Sequence, residues 1–366
     1  MRKRSGTVRG RLSAALAAVL LVAASCGDDD GGGDGAAETV APSGSGEAPP
    51  PGSEAPSPEG TEPEGTESEG TTGEAPASGE GITLAVNPWT GSAVNSHVAK
   101  AVLESELGTP VELVEIDENA TWPGLDAGDI DAVLEVWPSG HAEDYATYID
   151  EKGTVVDIGR LGPTAKIGWY VPTSVVEENP ELATWEGFKD PELAGLFATA
   201  ETGDNGQFLM GDPSYVSYDE QIIANLELPL QFVVAGSEAA LITAIQQAVA
   251  DEQPVLLNFW QPHWLQSQVE LTEVELPEVT DACLESAAAE DGNYECDYPV
   301  DEIYKAANAG LEEKNPAAFE FLSAMELTTE QQNEIAAMID ADGMAPEEAA
   351  ATWIEANRDI VDAWLA

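Results

Sequence analysis

Basic residues are scarce in this 366-residue chain: 13 Lys and Arg stand against 69 Asp and Glu, a formal net charge of −56. Five of the thirteen (Arg2, Lys3, Arg4, Arg9 and Arg11) lie in the first eleven positions, and the other eight are scattered. No basic surface can form to meet a phosphate backbone, so nucleic-acid binding is excluded. Cysteine is rarer still, at three, and the three histidines stand in different segments. Catalytic signatures are also missing. There is no His-Glu-x-x-His, no Gly-x-Ser-x-Gly, no Gly-x-Gly-x-x-Gly and no Gly-Lys-Ser/Thr phosphate loop. Asp340-Ala-Asp342-Gly343 has its glycine too early for a calcium loop. The chain therefore reads as a protein that is not an enzyme and needs no cofactor or metal. A hydrolase built on an acidic pair stays open only because carboxylates are abundant.

What is present argues for a folded core: 43% hydrophobic residues, with 9 Trp, 8 Tyr and 7 Phe, in a length suited to about two domains. Residues 1–25 have the basic, then apolar, then small-residue order of a signal peptide, too short for a stable helix across a bilayer of about 30 Å. The Ala23-Ala24-Ser25-Cys26 junction resembles a bacterial lipobox, which makes Cys26 the expected lipidated residue. Residues 26–81 are rich in Gly, Pro, Ser and Glu without Lys or Arg, the composition of a solvated, self-repelling tether.

From Ile82 the pattern becomes alternating α/β. Strands are expected at Ile82–Asn87, Val111–Ile116, Ala132–Trp137, Lys166–Val171, Phe232–Val234 and Pro254–Phe259. Helices are expected at Ala93–Leu107, Trp122–Gly128, Trp185–Leu193, Gln221–Leu228 and Ser237–Ala250. The final stretch is expected to be all helical, from Val300–Asn308 through Pro316–Met325 and Glu330–Asp340 to the terminus. This rhythm predicts a mostly parallel sheet whose ligands sit beyond the carboxyl ends of the strands. Two lobes, 82–171 with 298–366 and 172–297, would enclose a cleft. In an oxidising compartment Cys283 and Cys296 are expected to close a disulfide, with a metal site or reactive thiol as the weaker alternative.

Aromatic residues fall at the expected strand ends: Trp137 in Trp-Pro-Ser-Gly-His141, Trp260 in Trp-Gln-Pro-His263-Trp264, and Tyr215 and Tyr218 in a loop ahead of a helix. Converging π faces suit a quaternary ammonium, which cannot donate a hydrogen bond and keeps its charge at every pH. Trp122, Trp169, Trp185, Trp353 and Trp364 follow core patterns.

Several of these stretches carry a family resemblance. Val86-Asn-Pro88, Val136-Trp-Pro-Ser-Gly-His-Ala-Glu-Asp-Tyr145, Pro254-Val-Leu-Leu-Asn-Phe-Trp-Gln-Pro-His-Trp264 and Glu313-Lys-Asn-Pro-Ala-Ala318 resemble the glycine betaine/proline betaine binding proteins of ABC importers, the ProX/OpuAC-like family. The resemblance runs from about Ile82 to the carboxyl terminus. It implies a two-lobed, type II periplasmic-binding-protein-like clamshell that is monomeric, lipid-anchored outside the cell membrane, and delivers its ligand to a permease driven by a separate ATPase. By position, it implies that Trp137, Tyr215 and Trp260 cage the trimethylammonium group, while His141 and the backbone amides of Val216 and Ser217 take the ligand's carboxylate. Tyr215 stands where the proline-betaine type has a Trp, and Val216 replaces a small residue. Trp89, Tyr218, His263 and Trp264 are further candidates for the cleft wall. Choline, carnitine or ectoine as ligand, and a sensory rather than a transport role, remain alternatives.

Overall fold

A computed structural model of the chain describes residues 80–288 and 292–366. The expected signal peptide, Cys26 and the tether up to residue 79 lie outside the described residues. The first half opens with β1 (Ile82–Val86), β2 (Val111–Glu115) and β3 (Ala132–Val136), paired in parallel with β1 in the middle. Helix Thr90–Glu106 links the first two and buries Val94, Val98, Val102 and Leu103 at helical spacing against them. Helix Glu118–Ala127 links the next two and stops at Gly128, whose left-handed φ of 77° lets its N–H return to the carbonyls of Gly124 and Leu125.

The 18-residue β4 (Val155–Pro172) joins the halves. Beyond it, β5 (Gly206–Met210), β6 (Leu230–Val234) and β7 (Leu256–Gln261) form a second parallel set with β5 in the middle, and the short β8 (Leu271–Glu273) adds to β4. Finally β9 (Asp301–Asn308) returns between β3 and β4, antiparallel to both. The strand order is β2-β1-β3-β9-β4-β7-β5-β6. β4 changes partner along its length, pairing with β9 from Val155 to Ala165 and with β7 from Lys166 to Tyr170. One strand thus links the strands of the first half to those of the second.

Two expectations need correcting. The sheet is mixed rather than mostly parallel, because β9, β4 and β7 run antiparallel to their neighbours at the junction. Residues 300–308, expected helical, form β9 instead. Asp301, Ile303 and Lys305 are buried and Glu302 is exposed, a period of two hidden by polar residues at inward positions. Lys305 is fully buried because its ammonium donates to the carbonyls of Leu322, Ser323 and Met325 at the end of helix Pro316–Ala324. Those carbonyls lack helical partners and sit at the negative end of the helix dipole. Burial still pulls this lysine down to about 8.

One apolar cluster runs from β1 and its helix through Leu257 and Phe259 to the carboxy-terminal helices, ending in stacked Trp353 and Trp364. A second, confined to the later half, contains Trp169, Phe188, Phe208 and Tyr294. A third lies around Trp122. Trp185, expected in the core, is half-buried, with the Lys189 ammonium 4.5 Å from its ring centroid.

Cys283 and Cys296 are bonded, with their Cα atoms 6.4 Å apart. The bridge flanks Tyr294 and Tyr298, whose rings pack with Tyr218 at centroid distances of 4.3 and 6.1 Å. A Cys283→Ser/Cys296→Ser variant is therefore expected to lose ~2–4 kcal/mol of unfolding free energy, read by denaturant melts. An unchanged midpoint would mean that packing alone holds this wall.

Candidate functional site

The strand ends deliver the site. Beyond β1, Asn87 is pinned by its side-chain N–H bonds to the Ile116 carbonyl (3.1 Å) and the Thr121 hydroxyl (2.9 Å), which sets Trp89 at the head of helix Thr90–Glu106. Beyond β3 comes Trp137. Beyond β5, Asp212 accepts from the backbone N–H and hydroxyl of Ser214 (2.9 and 2.8 Å), turning the chain so that Tyr215 folds back over Gly211. A Cβ at Gly211 would lie 2.9 Å from that ring, so only glycine fits beneath it. Trp260 lies near the end of β7.

These side chains meet in one cleft, lined by both halves of the fold. Tyr215 is the centre of the aromatic set. Its ring centroid lies 5.8 Å from Trp89 at 76° and 5.9 Å from Trp260 at 84°, both edge-on contacts. Its hydroxyl crosses the cleft to donate to the Pro88 carbonyl at 3.1 Å. The Tyr218 hydroxyl likewise donates to the Ser139 carbonyl at 3.3 Å. Behind the rings lies Glu135, on β3. Its Oε1 accepts the indole N–H of Trp89 (2.8 Å) and of Trp137 (3.2 Å), while Oε2 accepts from the amides of Asn95 (2.6 Å) and Gln332 (2.9 Å). Burial pushes this carboxyl up to about 7 even though four neutral donors favour its ionised form.

Of the residues expected from sequence, the structure brings Trp137, Tyr215, Trp260, Val216, Tyr218 and Trp89 to the cleft wall. It does not place the other four there. Ser217 turns its hydroxyl to Asp219 at 2.9 Å. His263 lies behind Trp260 and bonds Glu238 at 3.1 Å, and Trp264 is in the core, its indole donating to Asp340 at 2.7 Å. His141 is 3% exposed, with Nδ1 2.8 Å from Asp144 and Nε2 2.9 Å from Glu118. Burial opposes its charge, but the two carboxylates outweigh burial and push it up to about 9.

Three acidic residues were missed as site components: Glu135, Glu118 and Asp219. For Glu135 a signal exists, a lone charge inside the apolar run Ala132-Val-Leu-Glu-Val136, two residues before Trp137. Asp219 is buried beneath the cleft and accepts from the indole of Trp169 (2.7 Å), the hydroxyls of Tyr298 (2.9 Å) and Ser217 (2.9 Å), and the amide of Asn258 (2.8 Å). Nothing in its local sequence marks that role. Ligand-type atoms of Glu238, His263 and Asp340 gather within 4.8 Å of one another, but they are engaged with Thr90, Trp264 and each other.

Residues 80–356 match the model of the substrate binding domain of ABC-type glycine betaine transport systems. The chain belongs to this family. Its members are extracytoplasmic solute-binding proteins, and among the described residues no helix is long and apolar enough to cross a membrane. It is 28% identical to the trimethylamine N-oxide-binding protein of Pelagibacter ubique, over 76% of this chain and 88% of that one. Identity to the glycine betaine/proline betaine-binding periplasmic protein of Escherichia coli is 24%, over 78% and 90% respectively. In fold it matches the closed, glycine betaine-liganded lactococcal OpuAC with a TM-score of 0.61 at 19% identity, covering 78% of this chain and all of that one. This ABC substrate-binding protein thus shares its architecture with that liganded clamshell.

Glu135 gives the site a pH dependence of definite sign. A cation bound among the rings would stabilise the ionised carboxylate, so that its pKa would fall from about 7 and protons would be released. Affinity for tetramethylammonium, measured calorimetrically, should weaken severalfold as pH drops from about 8 to about 5.5, and Glu135→Gln should flatten the profile. A flat profile in the unsubstituted protein would sink this account.

Proposed function

We propose that this protein captures a small methylated ammonium osmolyte outside the cytoplasm and delivers it to a membrane permease powered by a separate ATPase. The carrying observation is the aromatic set Trp89, Trp137, Tyr215 and Trp260, drawn from both halves onto one cleft, with the Glu135 carboxylate bonded to two of its indoles. A permanently charged methylated nitrogen offers no hydrogen to an acceptor. Attraction to π faces, worth ~0.5–2 kcal/mol per ring, is the directional force left to hold it. Indoles that donate to a carboxylate carry more electron density and hold a cation better. Trp137, Tyr215 and Trp260 serve as cage walls, with Trp89 as a fourth.

Closure is the second part of the mechanism. Lobes 82–171 with 298–366, and 172–297, would move as bodies about β4 and the segment entering β9, exchanging cross-cleft bonds such as Tyr215 to Pro88 and Thr90 to Glu238 for solvent when open. Ligand binds both walls at once and so favours the closed form, the state suited to docking on a permease. A lipid at Cys26 and the acidic tether would keep a monomer at the membrane while letting it reach that permease.

A thermal-shift panel tests the reading. Choline, glycine betaine, trimethylamine N-oxide and tetramethylammonium should include ligands that raise Tm in a saturable way, whereas uncharged proline-sized amides should not. Trp260→Ala should remove the shift for all of them while the protein stays folded. Unchanged binding in Trp260→Ala would overturn the cage, and turnover of any probe would overturn the binding-protein assignment.

A further inference from the structure

Two of the three groups that the family resemblance reserves for a ligand carboxylate, His141 and the Val216 amide, are already holding one. Glu118, at the start of helix Glu118–Ala127, lines the cleft and reaches across it: Oε1 lies 2.9 Å from His141 Nε2, and Oε2 accepts the Val216 N–H at 2.9 Å. We propose that Glu118 fills the anion seat from within the chain and so selects a methylated ammonium that carries no carboxylate of its own. This inference rests on the reading of the cleft as a cation cage and narrows the ligand class within it.

Charge and donor supply both favour this selection. His141 is buried between Glu118 and Asp144, so at most one positive charge faces two carboxylates and the trio keeps a net negative charge. Among the described residues no Lys or Arg lines the cleft. A second carboxylate arriving with the ligand would meet Glu118 with no spare cation to offset the repulsion, which a partly dry site strengthens. A carboxylate also needs hydrogen-bond donors, and most side-chain donors lining the cleft are committed. The hydroxyls of Tyr215, Tyr218 and Tyr298 donate to Pro88, Ser139 and Asp219, and the Val216 N–H donates to Glu118 itself. What the polar end of the cleft offers is an acceptor. It suits a polar end that donates a hydrogen bond, such as the hydroxyl of choline.

The selectivity is read by calorimetry on the mature chain, unsubstituted and as Glu118→Gln and Glu118→Ala, with choline, trimethylamine N-oxide, glycine betaine and tetramethylammonium as probes. The unsubstituted protein should bind choline at least about tenfold more tightly than glycine betaine. Glu118→Gln should narrow or invert that preference by about tenfold, while tetramethylammonium, which has no polar end, changes by less than about threefold. Glycine betaine preferred by the unsubstituted protein would overturn the proposal while leaving the cage intact, and that ranking needs no variant. A Glu118→Gln protein that folds by circular dichroism yet keeps the original ranking would also overturn it. If no probe binds, tetramethylammonium included, the cage reading itself fails and this inference falls with it.

Discussion

Buried carboxylates need donors, and this chain has few cations to supply them: only eight Lys and Arg follow residue 11. Around the cleft the donors are indoles, amides, hydroxyls and backbone N–H groups. Glu135 takes two indoles and two amides, Asp219 an indole, an amide and two hydroxyls, and Asp340 an indole and a hydroxyl. Neutral donors stabilise an ionised carboxylate without cancelling its charge. The negative field therefore survives at the cleft, where burial strengthens it. An ion pair with Lys or Arg in the same places would satisfy each carboxylate equally well and leave nothing to attract a cation.

The aromatic residues thereby have two functions. The N–H edges of Trp89 and Trp137 satisfy Glu135, and their rings line the space where a cation would lie. Trp169 uses its edge in the same way on Asp219 but keeps its ring in the core against Phe208, at a centroid distance of 4.6 Å. Trp264 does so on Asp340, behind Trp260 and His263. Walls and supports are built from one residue type, and exposure to the cleft separates the two roles.

The clamshell depends on the junction more than on either sheet. β4 pairs with β9 along its first part and with β7 along its second, and β9 runs antiparallel beside it. Lys166, the residue at the partner change, pairs with Glu273 and, at 2.7 Å, with Asp297, beside the disulfide-bonded wall. The crossing is thus tied by both backbone and side-chain contacts to the segment bearing Tyr294 and Tyr298.

Much of this was legible before any coordinates. Apolar periodicity located β1, β2, β3 and β7 and the helices between them, since alternation and 3.6-residue spacing are local properties of the chain. The strand-end position of Trp137 and Trp260 followed from the rule that open α/β sheets bind beyond their carboxyl ends. β9 escaped because its inward positions include Asp301 and Lys305, whose burial depends on Ser139 and on the end of a distant helix. Gln332 joins Glu135 across 197 residues, a partnership no local pattern encodes. The sequence alone determined the α/β order, the scarcity of bases and the supply of aromatic rings, because each is carried by residue type and spacing. Which rings meet, and that Glu118 takes two of the partners assigned to a ligand's carboxylate, only the tertiary structure decided, because those contacts join segments that approach one another only when the chain folds.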